Sequence, residues 1–586
     1  MRAAYLVLFA AVACAQQPPD DLLLKAMRDE LQRGKALRLP GVDSPYFIEY
    51  ALDEIDSFSV SATQGAIIQS NDNHTRMPRV QVRVGSPAFD NTNYVFTDFL
   101  SPRATGRVVL DNDPTVIRRH FWLATDRGYK GAVESVSRKR SALRNVTQQE
   151  KLNDFAKADP VQLYRPSTKP AHNRDQWTRL TRNLAAIFGS FPKVTHSQVD
   201  FDSSFATTYY VNSEGTEFRY PDDLFYLRVR ASAQAPDGMP VRDASMFIAR
   251  SPDKLPSEAD LRRGVTEIAE HVTALAQAPV GEDYSGPVLV EGVAATQMFA
   301  QLLGSNLGLA RRPVNEPGRQ IPFAQSELEG RMGSRILPEW MDVVDDPAQT
   351  AWRGQELQGH YPVDMEGVVP HPVTVIEKGT VKSFLLSRLP VRGYEGSNGR
   401  ARLPGAFGSN AAVFSNLFIR AKDTMTQEAL RKRLLELITQ RGKPYGIIVR
   451  KLDFPTSGSL AEVQRLTASS GQRGGSLRPT SVPILVYRIY PDGRQELVRG
   501  LRFRSVNVRT LRDIIAASDT EHIFHFLGNG SPLPMMGGGG YIAGHSVVAP
   551  SVLFEDLELE KREDDWPKLP VVPPPSLTSQ ARTLRP

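Results

Sequence analysis

Three histidines toward the C-terminal end are the residues whose spacing points most directly to metal chemistry. Residues 521–525 read Glu-His-Ile-Phe-His, which places His522 and His525 three residues apart, and His545 follows in a glycine-rich stretch. Residues at this spacing are neighbours if the segment is helical, and three histidines can hold a catalytic zinc ion. The alternative is two histidines on an amphipathic face and an unrelated loop histidine, which is the commoner meaning of an isolated His-x-x-His.

Other kinds of catalytic site have little support in the sequence. The only cysteine is Cys14, and no Gly-x-Ser-x-Gly motif is present that would expose a nucleophilic serine. The glycine run at residues 537–540 follows two methionines and lacks the Lys-Ser/Thr that completes a phosphate-binding loop. We interpret this run as a flexible loop, and a lid over a peptide groove is the more specific hypothesis.

Composition and charge exclude several classes of protein. Of the 586 residues, 41% are hydrophobic and 23% are charged, which is typical of a folded globular protein. Lys and Arg number 71 against 65 Asp and Glu, so the net charge is +6. Because these charges are scattered and no nucleic-acid-binding motif accompanies them, we do not expect nucleic acid as a partner.

The first fifteen residues have the layout of a secretory signal peptide. A positive charge at Arg2 precedes an apolar run that ends in Ala13-Cys14-Ala15. The run is shorter than the roughly 20 residues of a membrane-spanning helix, and no later segment approaches that length. We therefore expect cleavage after Ala15 and an exported protein, periplasmic or secreted, without a transmembrane span. The stretch ending at Cys14 also resembles a bacterial lipobox, so lipidation of Cys14 is the alternative.

The residues after the signal indicate a mixed α+β domain. Three segments show apolar residues at helical spacing, namely residues 20–35, 147–159 and 175–188. Four segments show the alternation typical of half-buried strands, and the last two are predicted to form a hairpin: residues 57–60, 80–84, 207–211 and 216–220.

A β-rich part follows a polar, proline-containing stretch at residues 250–256. Ser257 and Asp260 resemble a capping box, which predicts a helix that ends near residue 277. A short apolar strand at residues 286–290 runs straight into a predicted helix at 291–303. The remaining elements are a hairpin at residues 373–386, a helix at 426–440 and a second hairpin at 484–503.

The sequence thus predicts an α+β fold, with an N-terminal mixed α+β domain followed by a β-rich, largely antiparallel C-terminal domain. The predicted divisions are a signal peptide at 1–15, the N-terminal domain at 16–250, the C-terminal domain at 251–562 and a disordered proline-rich tail at 563–586.

The order and spacing of several segments resemble the TldD/TldE (PmbA) family of metallopeptidases, once described as modulators of DNA gyrase. No single motif carries the likeness, which extends over about residues 20–560. The segments concerned are the strand–helix unit at 286–303, Val-Val-Asp-Asp at 343–346, the hairpin at 373–386, Ser-Asn-Gly-Arg at 397–400 and the closing segment at 547–553.

The resemblance implies a zinc-dependent peptidase whose TldD-like subunit carries His-Glu-x-x-x-His after the apolar strand and a cysteine ligand further on. In this sequence the two histidine positions fall on Val290 and Ala295, and the glutamate position falls on Glu291. The segment that would supply the cysteine, residues 534–544, contains none. The chain therefore resembles the TldE half, which has the fold without the metal site and pairs with a TldD-like partner that holds the zinc.

Glu291 has two interpretations. On the resemblance, it matches the position of the catalytic glutamate and is a surviving base or a substrate contact. Alternatively, it is an acidic residue at a helix N-terminus, where the helix dipole favours negative charge. We favour the second interpretation.

Three functions remain open at this stage. The first is an exported TldE-like subunit that contributes a peptide groove to a two-chain peptidase acting on unfolded peptides or proteins. The second is a self-sufficient hydrolase that uses His522, His525 and His545. The third is a peptide-binding or scaffold protein that has kept the family fold and lost catalysis.

Overall fold

A computed structural model describes residues 20–95, 103–105, 108–144, 151–315, 323, 325–405, 408–455, 480–529 and 542–567. The helices of the N-terminal part are α1 (Leu22–Gly34), α2 (Pro114–Leu143) and α3 (Arg174–Ala186). Its strands are β1 (Pro45–Thr63), β2 (Ala66–Ser86), β3 (Phe89–Asp90), β4 (Tyr94–Val95), β5 (Arg103–Thr105), β6 (Gln162–Tyr164), β7 (Val194–Asn212), β8 (Glu217–Pro221), β9 (Leu224–Gln234) and β10 (Pro240–Ala249).

Long antiparallel strands make up the first sheet. Its main path runs β10-β9-β7-β1-β2-β3, with β5 paired to β2 and β8 paired to β7. The hairpin of β1 and β2 turns at Gln64 and Gly65, which both have positive φ, as a tight two-residue turn between twisted strands requires. Helices α1 and α2 share an apolar cluster with β1 and β2, so one face of this sheet is covered by helices.

The C-terminal part begins with helices and ends with long strands. Its helices are α4 (Glu258–Gln277), α5 (Val293–Phe299), α6 (Ser305–Leu307) and α7 (Gln427–Gln440). Its strands are β11 (Tyr284–Val290), β12 (Val314–Asn315), β13 (Met341–Asp345), β14 (Ala351–Trp352), β15 (Gln355–Glu356), β16 (Val373–Glu377), β17 (Thr380–Val381), β18 (Ala401–Pro404), β19 (Asn410–Ala412), β20 (Asn416–Ala421), β21 (Thr424–Met425), β22 (Gly446–Leu452), β23 (Pro483–Ile489), β24 (Gln495–Val498), β25 (Leu501–Phe503), β26 (Ile514–Asn529) and β27 (Ile542–Lys561).

The second sheet is mixed and is organised around β27. Its main path runs β17-β16-β13-β20-β27-β11-β22-β23-β24. Strand β11 lies between β27, to which it is antiparallel, and β22, to which it is parallel. Strand β26 also pairs antiparallel with β27. A large apolar cluster joins β11, α5 and β13 beneath this sheet, and α7 packs on the other side of β11 through a separate cluster around Leu289.

The predicted fold class is confirmed: helices and largely antiparallel sheets coexist in an α+β arrangement. The predicted helices near the starts of both parts are present, and Asp21, Ser257 and Thr426 cap α1, α4 and α7 through their side chains. Capping side chains accept hydrogen bonds from the first free backbone N–H groups of a helix, which explains why these helices begin where they do.

Some predictions were wrong or fall outside the described residues. Residues 151–159 contain no helix, which contradicts the helix predicted for 147–159, whereas the long helix α2 was not predicted. The predicted signal peptide with its alternatives at Ala15 and Cys14, the glycine run at 537–540 and the tail from residue 568 lie outside the described residues. No helix of the described chain has both the length and the apolar character needed to cross a membrane.

Candidate functional site

The strand–turn–helix unit at β11 and α5 holds the positions that the family resemblance singles out. Val290 ends β11, the backbone turns at Gly292 with φ of 59°, and α5 begins at Val293. A positive φ at this point is accessible to glycine at little cost. The turn therefore fixes the direction in which the side chain of Glu291 leaves the backbone.

Both positions aligned with zinc-ligating histidines are apolar and inaccessible. The side chains of Val290 and Ala295 are 0% exposed and belong to the same apolar cluster. Zinc requires nitrogen, sulfur or oxygen donors, and neither side chain has one. These two positions therefore act as core packing between β11, α5 and the rest of the sheet.

Glu291 is enclosed by cations from two other elements. Arg431 of α7 donates through Nε to Oε1 at 2.6 Å, and Arg450 of β22 donates through Nε to Oε2 at 2.9 Å. Gln427 Nε2 also donates to Oε1, at 3.0 Å. Glu291 lies just before the helix, and its backbone N–H donates to the carbonyl of Val449. The carboxylate is thus held chiefly by two guanidinium groups. The sequence had indicated only the helix dipole as a source of stabilisation.

The charge state of Glu291 follows from these contacts. Burial raises the pKa of Glu291, but the hydrogen bonds and charges of Arg431 and Arg450 outweigh burial, and the net pKa lies below its ordinary value. A general base works best with a pKa near the working pH and a free lone pair directed at the proton. Glu291 has neither property in this arrangement, which favours a structural role.

His522 and His525 lie on β26, not on a helix as the zinc hypothesis assumed. Adjacent side chains of a strand point to opposite faces, so residues three apart diverge. The ring of His522 faces the Gly292 turn, and a Cβ built on Gly292 would lie 3.9 Å from it. His525 instead pairs with Ser546 Oγ through Nδ1 at 2.8 Å. Burial lowers the pKa of His525 to about 4, so it is neutral at pH 7.

His545 is buried in an aromatic environment. It sits opposite Phe526 in the pairing of β26 with β27, and the two rings stack with centroids 4.8 Å apart. Its Nδ1 donates to the carbonyl of Phe414 at 2.8 Å, and a Cβ built on Gly528 would lie 2.4 Å from its Nε2. Burial and the charge of Arg402 lower the pKa of His545 to about 3. Both ring nitrogens are therefore directed at the backbone.

The structure does not bring the three histidines together. His522 and His545 share a face of the β26–β27 hairpin but are separated along it by about four residues, or roughly 13 Å at the usual strand rise. His525 is on the opposite face. Within the described ranges, no group of three or more His, Cys, Asp or Glu side chains is arranged to hold a metal ion. The spacing argument failed because it depended on a helix.

A cavity of about 350 Å³ lies elsewhere, between the two sheets. One wall is the first sheet and the other is formed by the 361–365 segment, β18 and the start of β27. The residues that give it chemical character are four tyrosines, three arginines and four aspartates: Tyr210, Tyr220, Tyr226, Tyr361, Arg79, Arg250, Arg402, Asp53, Asp202, Asp222 and Asp364. Burial raises the pKa of Asp202 to about 6, and burial with the neighbouring Glu366 raises the pKa of Asp364 above its usual range.

Sequence reasoning missed this cavity because its walls come from distant parts of the chain. Arg402 lies next to the Ser-Asn-Gly-Arg segment at residues 397–400, which supported the family resemblance but was given no role. None of Glu291, His522, His525 and His545 lines the cavity. The start of β27, Ile542 to Gly544, directly follows the glycine-rich stretch and forms part of the wall.

Part of the chain, including most of β11 and all of α5, matches a known protein family. Residues 287–452 match the family model described as the PmbA/TldA metallopeptidase C-terminal domain. A metalloprotease from Archaeoglobus fulgidus is 33% identical over 78 residues, which are 13% of this chain. That alignment spans 17% of the archaeal protein.

Solved structures of low sequence identity share the fold over nearly the whole chain. A candidate modulator of a DNA gyrase from Thermotoga maritima is 14% identical with a TM-score of 0.55, covering 91% of this chain and 99% of that one. TldE from Thermococcus kodakarensis is 12% identical with a TM-score of 0.53, covering 91% and 100%. A candidate modulator of DNA gyrase from Bacteroides thetaiotaomicron is 10% identical with a TM-score of 0.53, covering 92% and 98%.

The family model covers part of the C-terminal half, and the fold likeness covers nearly the whole chain. The matched residues include β11, α5 and β18, and the fold likeness extends to both sheets. Over residues 287–452 the chain is therefore similar to the PmbA/TldA metallopeptidase C-terminal domain, and as a whole it shares the fold of these solved structures.

Proposed function

We propose that this protein is the zinc-free, TldE-like subunit of an exported two-chain peptidase, with zinc held by a TldD-like partner. The proposal rests on the residues found at the three positions that match the family's two zinc-binding histidines and its catalytic glutamate. Val290 and Ala295 are fully buried apolar side chains, and Glu291 is paired with Arg431 and Arg450.

The residues at these positions do not fit a zinc ion. A zinc site needs three protein donors around an open coordination position, and the aligned positions offer one carboxylate already engaged by two guanidinium groups. The cysteine that the family resemblance calls for is also missing, because Cys14 is the only cysteine of the chain. We therefore assign no zinc-dependent step to this chain.

What remains for this subunit is to bind and position an unfolded peptide. A cavity lined by tyrosine hydroxyls and arginines between two sheets supports this role, because binding sites combine apolar walls with a few directed polar groups. An extended peptide that adds to a sheet edge gains main-chain hydrogen bonds with little sequence demand. The signal peptide predicted for residues 1–15 favours an exported location, periplasmic or secreted.

The test compares the chain that starts at Gln16, alone and mixed with a TldD-like chain encoded in the same genome. Zinc content and hydrolysis of an unstructured peptide pool are measured in each sample. We expect hydrolysis only in the mixture, with zinc copurifying with the partner.

Two outcomes would contradict the proposal. Zinc and hydrolysis in the single chain would favour a self-sufficient hydrolase, and His522→Gln and His525→Gln would then be compared with His196→Gln, which alters an exposed histidine. No hydrolysis in either sample, when the partner binds zinc, would favour the peptide-binding or scaffold alternative.

A further inference from the structure

Arg402 is a cation at the wall of the cavity between the sheets, without a carboxylate partner in the described part of the chain. Its Nη1 donates to the carbonyl of Gly544 at 2.9 Å, and its guanidinium lies over the ring of Tyr361, 4.4 Å from the centroid. Burial lowers the pKa of Arg402, which means that its positive charge is poorly compensated. Buried charges in proteins are normally paired, so this one has unused capacity to bind an anion.

The neighbouring charges do not supply that anion. Asp222 is bound to Arg250, whose Nη1 donates to its Oδ1 at 2.5 Å. Asp345 is bound to the fully buried Arg400, at 2.5 Å. Each of these carboxylates is therefore engaged with another arginine, and Arg250 adds a second positive charge near Arg402.

The geometry points to Arg402 as the anchor of a subsite that holds the C-terminal carboxylate of a short peptide. A guanidinium presents its N–H groups as a planar fork that matches a carboxylate, and stacking on an aromatic ring keeps that fork in place. A volume of about 350 Å³ is at the lower end of small-ligand sites, which suits the last one or two residues of a peptide. The inference rests on the proposed function only in taking peptides as the ligand class.

The other wall of the cavity favours a singly charged ligand. Asp53, Asp202 and Asp222 line it and outnumber its two cations, Arg79 and Arg250. The excess negative charge would repel a multiply charged anion such as a phosphate ester. A peptide terminus brings one negative charge together with neutral amide groups. Tyr220 lies in the lining near such a ligand, whereas the hydroxyl of Tyr226 is hydrogen-bonded to Asp202.

The test uses the chain from Gln16 without any partner, so that it does not depend on hydrolysis. N-acetylated tetrapeptides of random sequence are prepared as free carboxylates and as C-terminal amides with isotopically distinct acetyl groups. Equal amounts are mixed with the protein, and the retained peptides are quantified by mass spectrometry after ultrafiltration. We expect the free carboxylates to be enriched about tenfold, the effect of one charge-assisted hydrogen-bonded pair.

Variants assign the enrichment to Arg402. Arg402→Gln should bring the ratio of acid to amide near one, and Arg402→Lys should give an intermediate ratio because it keeps the charge without the fork. Arg420→Gln is the matched control, since Arg420 lies over Phe418 but is exposed and outside the cavity. Thermal unfolding of each variant shows whether it is folded. If Arg402→Gln does not fold, the comparison of Arg402→Lys with the wild type replaces it.

Three results would overturn the inference: no retention of either form, equal retention of both, or a preference for acids that Arg402→Gln leaves intact. Failure here is separable from failure of the proposed function. Partner-dependent hydrolysis without acid preference would refute only the subsite, whereas acid preference without partner-dependent hydrolysis would refute only the two-chain peptidase.

Discussion

At the scale of single residues, Glu291 shows how a position can match a catalytic residue while its surroundings suit another role. Its identity was visible in the sequence, but its partners were not. Arg431 and Arg450 are 140 and 159 residues away along the chain, and no local pattern predicts which distant side chains a fold brings to one carboxylate. The zinc hypothesis for the histidines failed for a related reason, because their relative direction depends on whether the backbone is helix or strand.

Glu291→Gln tests the structural role. The substitution removes a charge shared by two guanidinium groups, so we expect the free energy of unfolding to fall by about 2 kcal/mol. If Glu291 were a catalytic base, the same substitution would instead lower kcat of the mixed complex by about 100-fold or more, with little effect on stability. Both quantities are measured on the same protein. Glu436→Gln is the control, because it disrupts an exposed pair with Arg433 that should contribute little.

The pH dependence of stability gives a second readout of the same variant. Because the pKa of Glu291 is lowered in the folded chain, its stabilising contribution is complete above its ordinary pKa of about 4.5 and is lost as the pH falls through its folded value. The difference in unfolding free energy between the wild type and Glu291→Gln should therefore narrow in acid. A difference that stays constant below pH 4.5 would show that the ionised carboxylate is not what stabilises the fold.

At the scale of elements, the sequence was informative where the pattern is local and strong. The strand–helix unit at β11 and α5 was predicted from an apolar run followed by helical spacing, and α4 was predicted from its cap and its apolar positions. Helix α2 was not predicted, because Gly128, Gly131 and several charged residues interrupt the helical spacing of its apolar residues. Tertiary packing of its buried side, including Ile117 and Phe121, stabilises a helix that the local pattern does not indicate.

The two glycines of α2 provide a prediction at this scale. A Cβ at Gly131 would meet no atom within 4 Å, whereas one at Gly128 would lie 3.1 Å from Val82 Cγ2 of β2. Gly131→Ala should raise the free energy of unfolding by about 1 kcal/mol, the difference in helix propensity. Gly128→Ala gains the same helix propensity, but its added methyl group presses against Val82 of β2. The Gly128→Ala variant should therefore be less stable than Gly131→Ala. Equal denaturation midpoints for the two variants would contradict the close approach of α2 to β2.

At the scale of the whole molecule, the two sheets are tied together by contacts that sequence patterns could not indicate. Lys451 of β22 pairs with Asp243 of β10 at 2.6 Å, and Arg388 pairs with Glu214 at 2.6 Å. Leu485 of β23 also joins the apolar cluster of the first sheet. The division at residues 250–251 was placed at a change in local composition, and composition carries no information about which sheet a following helix covers.

The position of α4 bears directly on that division. Although α4 follows residue 250, it packs against β9 and β10 of the first sheet. Five of its apolar side chains are at most 2% exposed and belong to the cluster that contains Phe225 and Val229 of β9: Leu261, Val265, Ile268, Val272 and Leu275. We infer that the N-terminal folding unit extends to the end of α4 at Gln277.

Two fragments distinguish this inference from a boundary at residue 250. Burying five such side chains at about 2 kcal/mol each contributes roughly 10 kcal/mol, which is as large as the stability of a typical domain. We therefore expect residues 20–277 to unfold in one cooperative transition, and residues 20–250 to show none, in thermal melts followed by circular dichroism. A synthetic peptide of residues 257–277 should restore the transition to the shorter fragment. If residues 20–250 unfold as cooperatively as 20–277, α4 belongs to the C-terminal unit despite its packing, and the boundary lies where the composition changes.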